Sequence, residues 1–339
     1  MSGSRPRPAT MHDVAAHAGV STATVSRALS GERPMSPELR ERVLLAANAL
    51  GYRVNLLGRA LRRKRTSSVG LIVPDLDNPF FSSLAQHVGR SFGPSSIDVF
   101  TYSADSDLDR ERRGVQSFIG RQVDGLVIIP SHEEGSADNI RLASESVVTI
   151  QFDCRVPSMD THFVGCDNRH GMKLVSTHIH DHVDLARQPV IYVGAAPVSS
   201  SAHERLDGFT KAFPHSRRML GPFSAEWGQR AATQLLEEET RSATIVAAAD
   251  VIGLGCMNAL QSRGLRVPED FRVIGFDGVG VTFLAHPSLT TVRQPVEAMT
   301  TSILELILDG LDEGVEGRRR SVRHKPELLV NDSSPARFV

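Results

Sequence analysis

Apolar positions follow two different rhythms along the chain. Through about residue 52 they recur at helical spacing in short blocks: Val14, Ala15 and Ala18, then Val25, Ala28 and Leu29. Thr10, with Asp13 three residues on, predicts a capped start for a helix over Met11–Ala18. Gly19 ends it with the left-handed residue that a helix stop favours, and Val20 fills the core. Ser21 caps a second helix over Thr22–Leu29, which Ser30 and Gly31 stop. Ser36-Pro37-Glu38 opens a third, running to about Leu50, with Gly51 closing it.

From Ser68 onward the rhythm changes to apolar runs separated by amphipathic stretches. Strands are expected at Val69–Pro74, Ile97–Tyr102, Asp124–Ile129, Val147–Phe152, Val190–Val193, Thr244–Ala248 and Arg272–Phe276. Helices are expected between them, the clearest at Phe80–Phe92 and Asp109–Gln122. Such alternation makes parallel sheets covered on both faces. About 270 residues exceed one comfortable core, so two α/β lobes are expected, with a ligand in the cleft at the strands' carboxyl ends.

Two short helices joined by a tight glycine turn, completed by a third, make a helix-turn-helix. Its second helix would then read DNA through Thr22, Ala23, Ser26 and Arg27, the arginine suited to a bidentate contact with guanine. Thr10 and Ser21, at the two helix starts, join these as candidate contacts. The helix pattern alone fits a plain three-helix bundle equally well. Charge favours the DNA reader. Residues 1–68 hold 12 Lys and Arg against 4 Asp and Glu, whereas the remainder holds 26 against 35. A basic head on an acidic body is the footprint of a nucleic-acid-binding module. Cys154, Cys166 and Cys256 are odd in number and form no C-x-x-C pair, which argues against a disulfide framework or structural zinc. The N-terminus carries no apolar leader and no run is long enough to span a membrane, so a cytoplasmic protein is expected.

The head string TMHDVAAHAGVSTATVSRALSG, followed by SPELRERVLLAANALGYRVNLLGRALR, closely resembles the head of the lac-repressor/galactose-repressor (LacI/GalR) family. Every fixed position of the motif T-x-x-D-V-A-x-x-A-G-V-S-x-x-T-V-S-R-x-L is present. The resemblance implies that the following segment is a hinge that becomes helical on operator DNA. Asn55, Arg59 and Leu61 match that hinge, with Leu61 at the position that wedges between base pairs. Val54 stands where the family usually has proline. The alternative for Leu56, Leu57 and Leu61 is a short amphipathic piece packed on the body.

The body also resembles this family, through VGLIVPDLDNPFF, VDGLVIIP, CDNRHGMKLVSTHI, ERLDGF, VPEDFRVIGFDG and LTTVRQP. The resemblance implies a two-lobed fold similar to periplasmic sugar-binding proteins. It places Phe80 and Phe81, Arg205 in ERLDGF and Asp277 in GFDG at an effector pocket, with Phe223 and Asp250 on the far lobe. Three departures bear on the ligand. Ala249 replaces a frequent Asn, Gly278 replaces a polar residue, and Phe152-Asp153-Cys154 stands where an Asp-Arg pair is frequent. A sugar or nucleoside is the default effector, with a less hydroxylated one left open.

The expected organisation is a head at 1–52, a hinge at 53–67 and an effector-binding and dimerisation body at 68–339. The expected function is a homodimeric repressor on a pseudo-palindromic operator, controlled by a small molecule, with no cofactor, no metal and no catalysis. His178 and His182 stand one helical turn apart, but no third metal ligand is evident nearby. Gly253-Leu254-Gly255 lacks the third glycine of a dinucleotide loop. The C-terminal tail lacks the leucine heptads that would build a tetramer.

Overall fold

The computed structural model describes residues 7, 9–30, 34–53, 65–314 and 317–336. The chain divides into two compact units, Met1–Thr66 and Ser67–Val339.

Among the described residues the first unit holds three helices, α1 (Met11–Ala18), α2 (Thr22–Ser30) and α3 (Pro37–Ala49). The Thr10 hydroxyl lies 2.7 Å from Asp13 Oδ2, and the Thr10 amide donates to the same oxygen at 2.7 Å, closing the capping box. Gly19 takes φ 65° and its neighbour's amide, Val20 N–H, donates to Ala15 O at 3.0 Å, which turns the chain sharply into α2. Val14, Val25, Ala28, Val43 and Ala46 meet in the middle. Each comes from the apolar face of its own helix, so the small side chains let three short helices pack closely.

The second unit holds two six-stranded sheets. Sheet one has the order β11-β5-β4-β3-β1-β2, all parallel. Its strands are β1 (Ser68–Val73), β2 (Asp98–Ser103), β3 (Gly125–Ile128), β4 (Val148–Phe152), β5 (His162–Cys166) and β11 (Ser321–His324). Sheet two has the order β12-β10-β9-β8-β6-β7, parallel except where β12 meets β10. Its strands are β6 (Val190–Ala195), β7 (Arg217–Gly221), β8 (Ala243–Ala247), β9 (Phe271–Asp277), β10 (Thr290–Arg293) and β12 (Glu327–Leu329). Central strands such as β1 are buried at every position because helices cover both faces.

On sheet one, α4 (Pro79–Phe92) and α11 (Val296–Glu313) cover one face, and α5 (Leu108–Gly120) and α6 (Ala137–Ser144) the other. Sheet two carries α7 (Asn168–His182), α8 (Ser200–Ala212), α9 (Ala225–Glu237) and α10 (Asp250–Gln261). Helices α9 and α10 touch backbone to backbone: a Cβ on Gly228 would lie 2.1 Å from Ile252 O, and one on Gly255 2.1 Å from Ala225 O. Gly255 therefore sits at a helix crossing, away from any phosphate-binding turn.

The element order sends the chain between the lobes three times, at 166–168, 293–296 and 324–327. Among the described residues, no helix is long and apolar enough to cross a membrane.

Candidate functional site

In the head, α2 turns Val25 and Ala28 into the core and leaves Ser21, Ala23 and Arg27 exposed, with Thr22 and Ser26 half-buried. The outward face is thus small side chains around one long cation. Arg27 Nε donates to Ala23 O at 3.4 Å, which lays the side chain along the helix. Thr10 and Ser21 have structural duties. The Ser21 hydroxyl accepts from Thr24 N–H at 3.1 Å and lies 2.9 Å from the Thr24 hydroxyl, so it serves first as a helix cap. Asn55, Arg59 and Leu61 lie outside the described residues.

In the body, a cavity of about 560 Å³ lies at the carboxyl ends of strands from both sheets. Phe80, Phe81 and Leu108 wall it from lobe one, Val198 and Phe223 from lobe two. Its size falls in the range usual for small-molecule sites, and its walls are mostly apolar with a few polar groups.

Those polar groups are unusually placed. Asp153 follows β4 and Asp277 ends β9, and β4 and β9 occupy the same place in the order of their two sheets. Both carboxylates line the cavity, and both residues hold positive φ, 59° and 123°. A non-glycine residue pays a steric cost there, and such strain concentrates at functional sites.

Arg205 is 2% exposed and anchors the floor. Its Nη1 donates to Ala248 O at 2.7 Å and Asp277 Oδ1 at 3.2 Å, and its Nε to Asn168 Oδ1 at 2.9 Å. Its guanidinium also sits 3.8 Å from the centre of the Phe276 ring, a cation–π contact. Gln294 Nε2 donates to Asp277 Oδ1 at 2.9 Å. Asn168 Nδ2 continues the chain to Glu204 at 3.0 Å, and Glu204 takes a two-pronged contact from Arg323 at 2.7 and 2.9 Å. Asn168 and Gln294 stand at two of the lobe crossings and Arg323 in β11 one residue before the third, so one polar network reaches all three.

Burial sets the protonation of this floor. It pushes Asp277 up to about 6, although Arg205 and the Gln294 amide pull the other way. Burial likewise raises Asp153, against the pull of Arg205. Burial works to lower Arg205, but Asp277 and Asp153 together outweigh it and leave the guanidinium above its ordinary value. The Cys154 thiol is pushed up by burial and stays protonated, and it donates weakly to Asp153 Oδ2 at 3.3 Å.

Residues 10–55 match the family described as bacterial regulatory proteins, lacI family, and residues 185–334 match the periplasmic binding protein-like domain. The HTH-type transcriptional regulator MalR of Streptomyces coelicolor is 30% identical over 341 residues, covering 95% of each chain. The chain belongs to the lacI family of bacterial regulatory proteins.

It is accordingly a DNA-binding transcriptional regulator. The lac repressor dimer bound to operator and the anti-inducer ONPF superposes with a TM-score of 0.83 at 24% identity, over 97% of this chain and 100% of that one, which speaks for the fold. The transcriptional regulator CelR in complex with cellobiose gives a TM-score of 0.69 at 26% identity, over 96% of this chain and 99% of that one.

Among the lacI-type effector positions expected from sequence, Phe80, Phe81, Arg205, Phe223 and Asp277 come together around the one cavity. Asp250 does not line it. Its Oδ2 accepts from the Gly278 and Val279 amides at 2.7 and 2.9 Å, and its Oδ1 from the Thr291 hydroxyl at 2.5 Å. The carboxylate is spent on shaping the turn that carries Asp277. Burial, and then the charge of Asp277, raise its pKa well above the ordinary value.

Sequence reasoning passed over Asp153 as a contact, and over Glu111. Glu111 is fully buried and accepts from Ser131 N–H at 2.9 Å, the Ser136 hydroxyl at 3.1 Å and Asn139 Nδ2 at 2.9 Å, pinning the loop that forms one cavity wall. An acidic residue on the inner face of the 108–120 helix was the available signal for Glu111, since a buried acid needs donors. His178, the first histidine of the 178/182 pair, is engaged by Ser334 O at 2.9 Å. Among the described residues no group of three or more His, Cys, Asp or Glu is placed to hold a metal ion.

Proposed function

We propose that the protein is a cytoplasmic, non-catalytic repressor. A small molecule in the inter-lobe cavity would set its operator affinity. In this reading residues 1–52 read DNA, 53–67 form the hinge and 68–339 bind effector and pair the subunits. Thr22, Ala23, Ser26 and Arg27 face the major groove, with Asn55, Arg59 and Leu61 acting from the hinge. Phe80, Phe81, Phe223, Arg205 and Asp277 hold the effector. The relative crystallised with cellobiose supports a hydroxylated ligand of the sugar or nucleoside kind.

One observation carries this reading. The cavity floor belongs to a single hydrogen-bonded network that reaches all three lobe crossings. A ligand bonded to Arg205 or Asp277 therefore acts on the segments that a change of lobe angle would have to bend. A coupling free energy of about 1–3 kcal/mol gives a roughly 5–150-fold change in operator affinity.

The test is a thermal-shift screen of mono- and disaccharides and nucleosides, followed by operator binding by fluorescence anisotropy with each stabilising compound. A shift in operator affinity within that range supports the proposal. A compound that stabilises the protein through the cavity yet leaves operator affinity unchanged refutes it.

A further inference from the structure

The two lobes are tied together at a second place, away from the covalent crossings. The crossings join the β5 and β11 side of sheet one to the β10 and β12 side of sheet two. Further along both sheets, the loops that follow β3 and β4 meet the segment running from β6 into the first turn of α8. Glu133 N–H donates to Val198 O at 2.7 Å, and Arg155 N–H to Ser200 Oγ at 2.9 Å. Cys154 Sγ lies 3.0 Å from Ser201 Oγ, and His203 Nδ1 3.9 Å from Glu133 Oε2. Each of these contacts pairs one lobe with the other.

Both halves of the contact are stiff. Glu111 pins the lobe-one loop, and within it His132 Nδ1 accepts the Glu134 and Gly135 amides at 3.2 and 3.0 Å. On lobe two, Ala196 N–H donates to Gly221 O at 2.9 Å, and Pro197 fixes its own φ. The Ser199 hydroxyl caps α8 by accepting from Ala202 N–H at 3.3 Å. Bonds between two such supports hold a distance between the lobes, where bonds between loose loops would not. Pro130, Ser131, His132, Val198, Ser199 and Ser201 line the cavity, so the contact flanks it, while Glu133, Ser200 and His203 stand outside that lining.

We propose that this contact is a latch. Residues 129–136 and 196–203 hold the lobe angle through bonds between protein groups, and the latch must open before the three crossings can bend. Its strength then tunes operator affinity from outside the effector contacts. The inference rests on the reading that lobe angle sets operator binding. Each such bond shifts the balance between latched and open arrangements by roughly two- to tenfold.

Two variants of the full-length protein weaken the latch and leave the cavity lining unaltered. Ser200→Ala with His203→Ala removes an acceptor and a charge partner, and Ser199 keeps its cap. Adding Glu133→Pro removes the donor to Val198 O. Nitroxide labels on Asp138→Cys in α6 and Lys211→Cys in α8, both exposed positions, report the distance between lobes by pulsed electron resonance. The three native cysteines are buried, which directs labelling to the introduced ones. The expected result is a population displaced by more than about 2 Å in the double variant and a larger one in the triple variant. Operator affinity, read by fluorescence anisotropy on DNA recovered by selection, should shift at least about fivefold with no small molecule added. An unchanged distance distribution overturns the latch and leaves the effector reading intact, and the double variant decides this alone if the proline variant does not fold. A displaced distribution with unchanged operator affinity overturns the latch's control of DNA binding, together with the reading that lobe angle sets it.

Discussion

Replacing Arg205 with methionine should cost more stability at neutral pH than in mild acid, and the structure sets the size of the difference. The guanidinium is 2% exposed, and its loss strips a donor from Asn168 Oδ1, from Ala248 O and from Asp277. Breaking a buried pair in this way costs about 3–5 kcal/mol. In the unmodified protein Asp277 titrates at about 6 in the folded state, above the ordinary 3.8. The folded state therefore holds the proton more tightly, and stability falls as pH rises between those values, by about 1.4 kcal/mol per pH unit. Above pH 6 both states are ionised and the decline stops. Without Arg205 the buried carboxylate has lost its counter-charge, and pKa values of about 8–9 are known for such groups. The decline then continues to pH 7.5, widening the gap between the two proteins by about 2 kcal/mol over that interval.

Urea unfolding followed by the fluorescence of Trp227, the only tryptophan, measures this directly at pH 6.0 and 7.5. Its indole donates to Gly194 O at 3.0 Å within lobe two, so its emission reports loss of that lobe's packing. His178, held low by burial, is common to both proteins and cancels in the difference. Adding Asp277→Asn to Arg205→Met should reduce the widening, leaving the share that comes from Asp153, whose carboxyl Arg205 also pulls down. A gap of equal size at the two pH values would show that Asp277 does not depend on Arg205 for its charge.

Further consequences concern the head, the hinge and the lobe-two helices. Arg27→Ala should weaken binding to the selected operator by about 1–3 kcal/mol while leaving random-sequence DNA nearly unaffected, as read by fluorescence anisotropy. Equal losses on both would make Arg27 a phosphate contact. Leu61→Ala should reduce the operator bend measured by energy transfer between labelled DNA ends, and an unchanged bend would remove the wedge assignment. Gly228→Ala sets a methyl group 2.1 Å from Ile252 O and forces α9 from α10. It should lower the urea midpoint of the body by an amount equivalent to about 1–3 kcal/mol, and an unchanged midpoint would mean that the crossing relaxes freely.

The head was almost fully legible in the sequence because its determinants are local. Thr10, Gly19, Ser21 and Pro37 each act within one turn of where they stand, and the observed helices end within a residue of their expected limits. In the body, six of the seven strands expected from sequence, β1, β3, β4, β6, β8 and β9, are buried, because a short unbroken apolar run between turn residues suits a strand covered on both faces; the seventh, β2 (DVFTYS), is a largely exposed edge. The strands not expected from sequence, β5 (HFVGC), β7 (RRMLG), β10 (TTVR), β11 (SVRH) and β12 (ELL), are short, and most interrupt their apolar residues with polar ones; β11 and β12 follow the two late lobe crossings. The cavity residues divide in the same way. Aromatic and charged residues in strong motifs were found, while Asp153 was seen only as half of a missing pair. What marks it is a backbone angle, which is not visible before folding. Asp250 was over-read for a related reason. A carboxylate near a strand end has the same appearance whether it faces a ligand or ties a turn.

The central claim is that the basic helical head reads a specific duplex sequence. Selection of bound fragments from a random double-stranded DNA pool, with full-length protein at physiological salt, tests it most directly. The account predicts enrichment of a pseudo-palindrome whose half-sites mirror a two-fold dimer, with a deformable pyrimidine–purine step at its centre. Recovery of fragments sharing no motif, bound only in a salt-sensitive way, would contradict it.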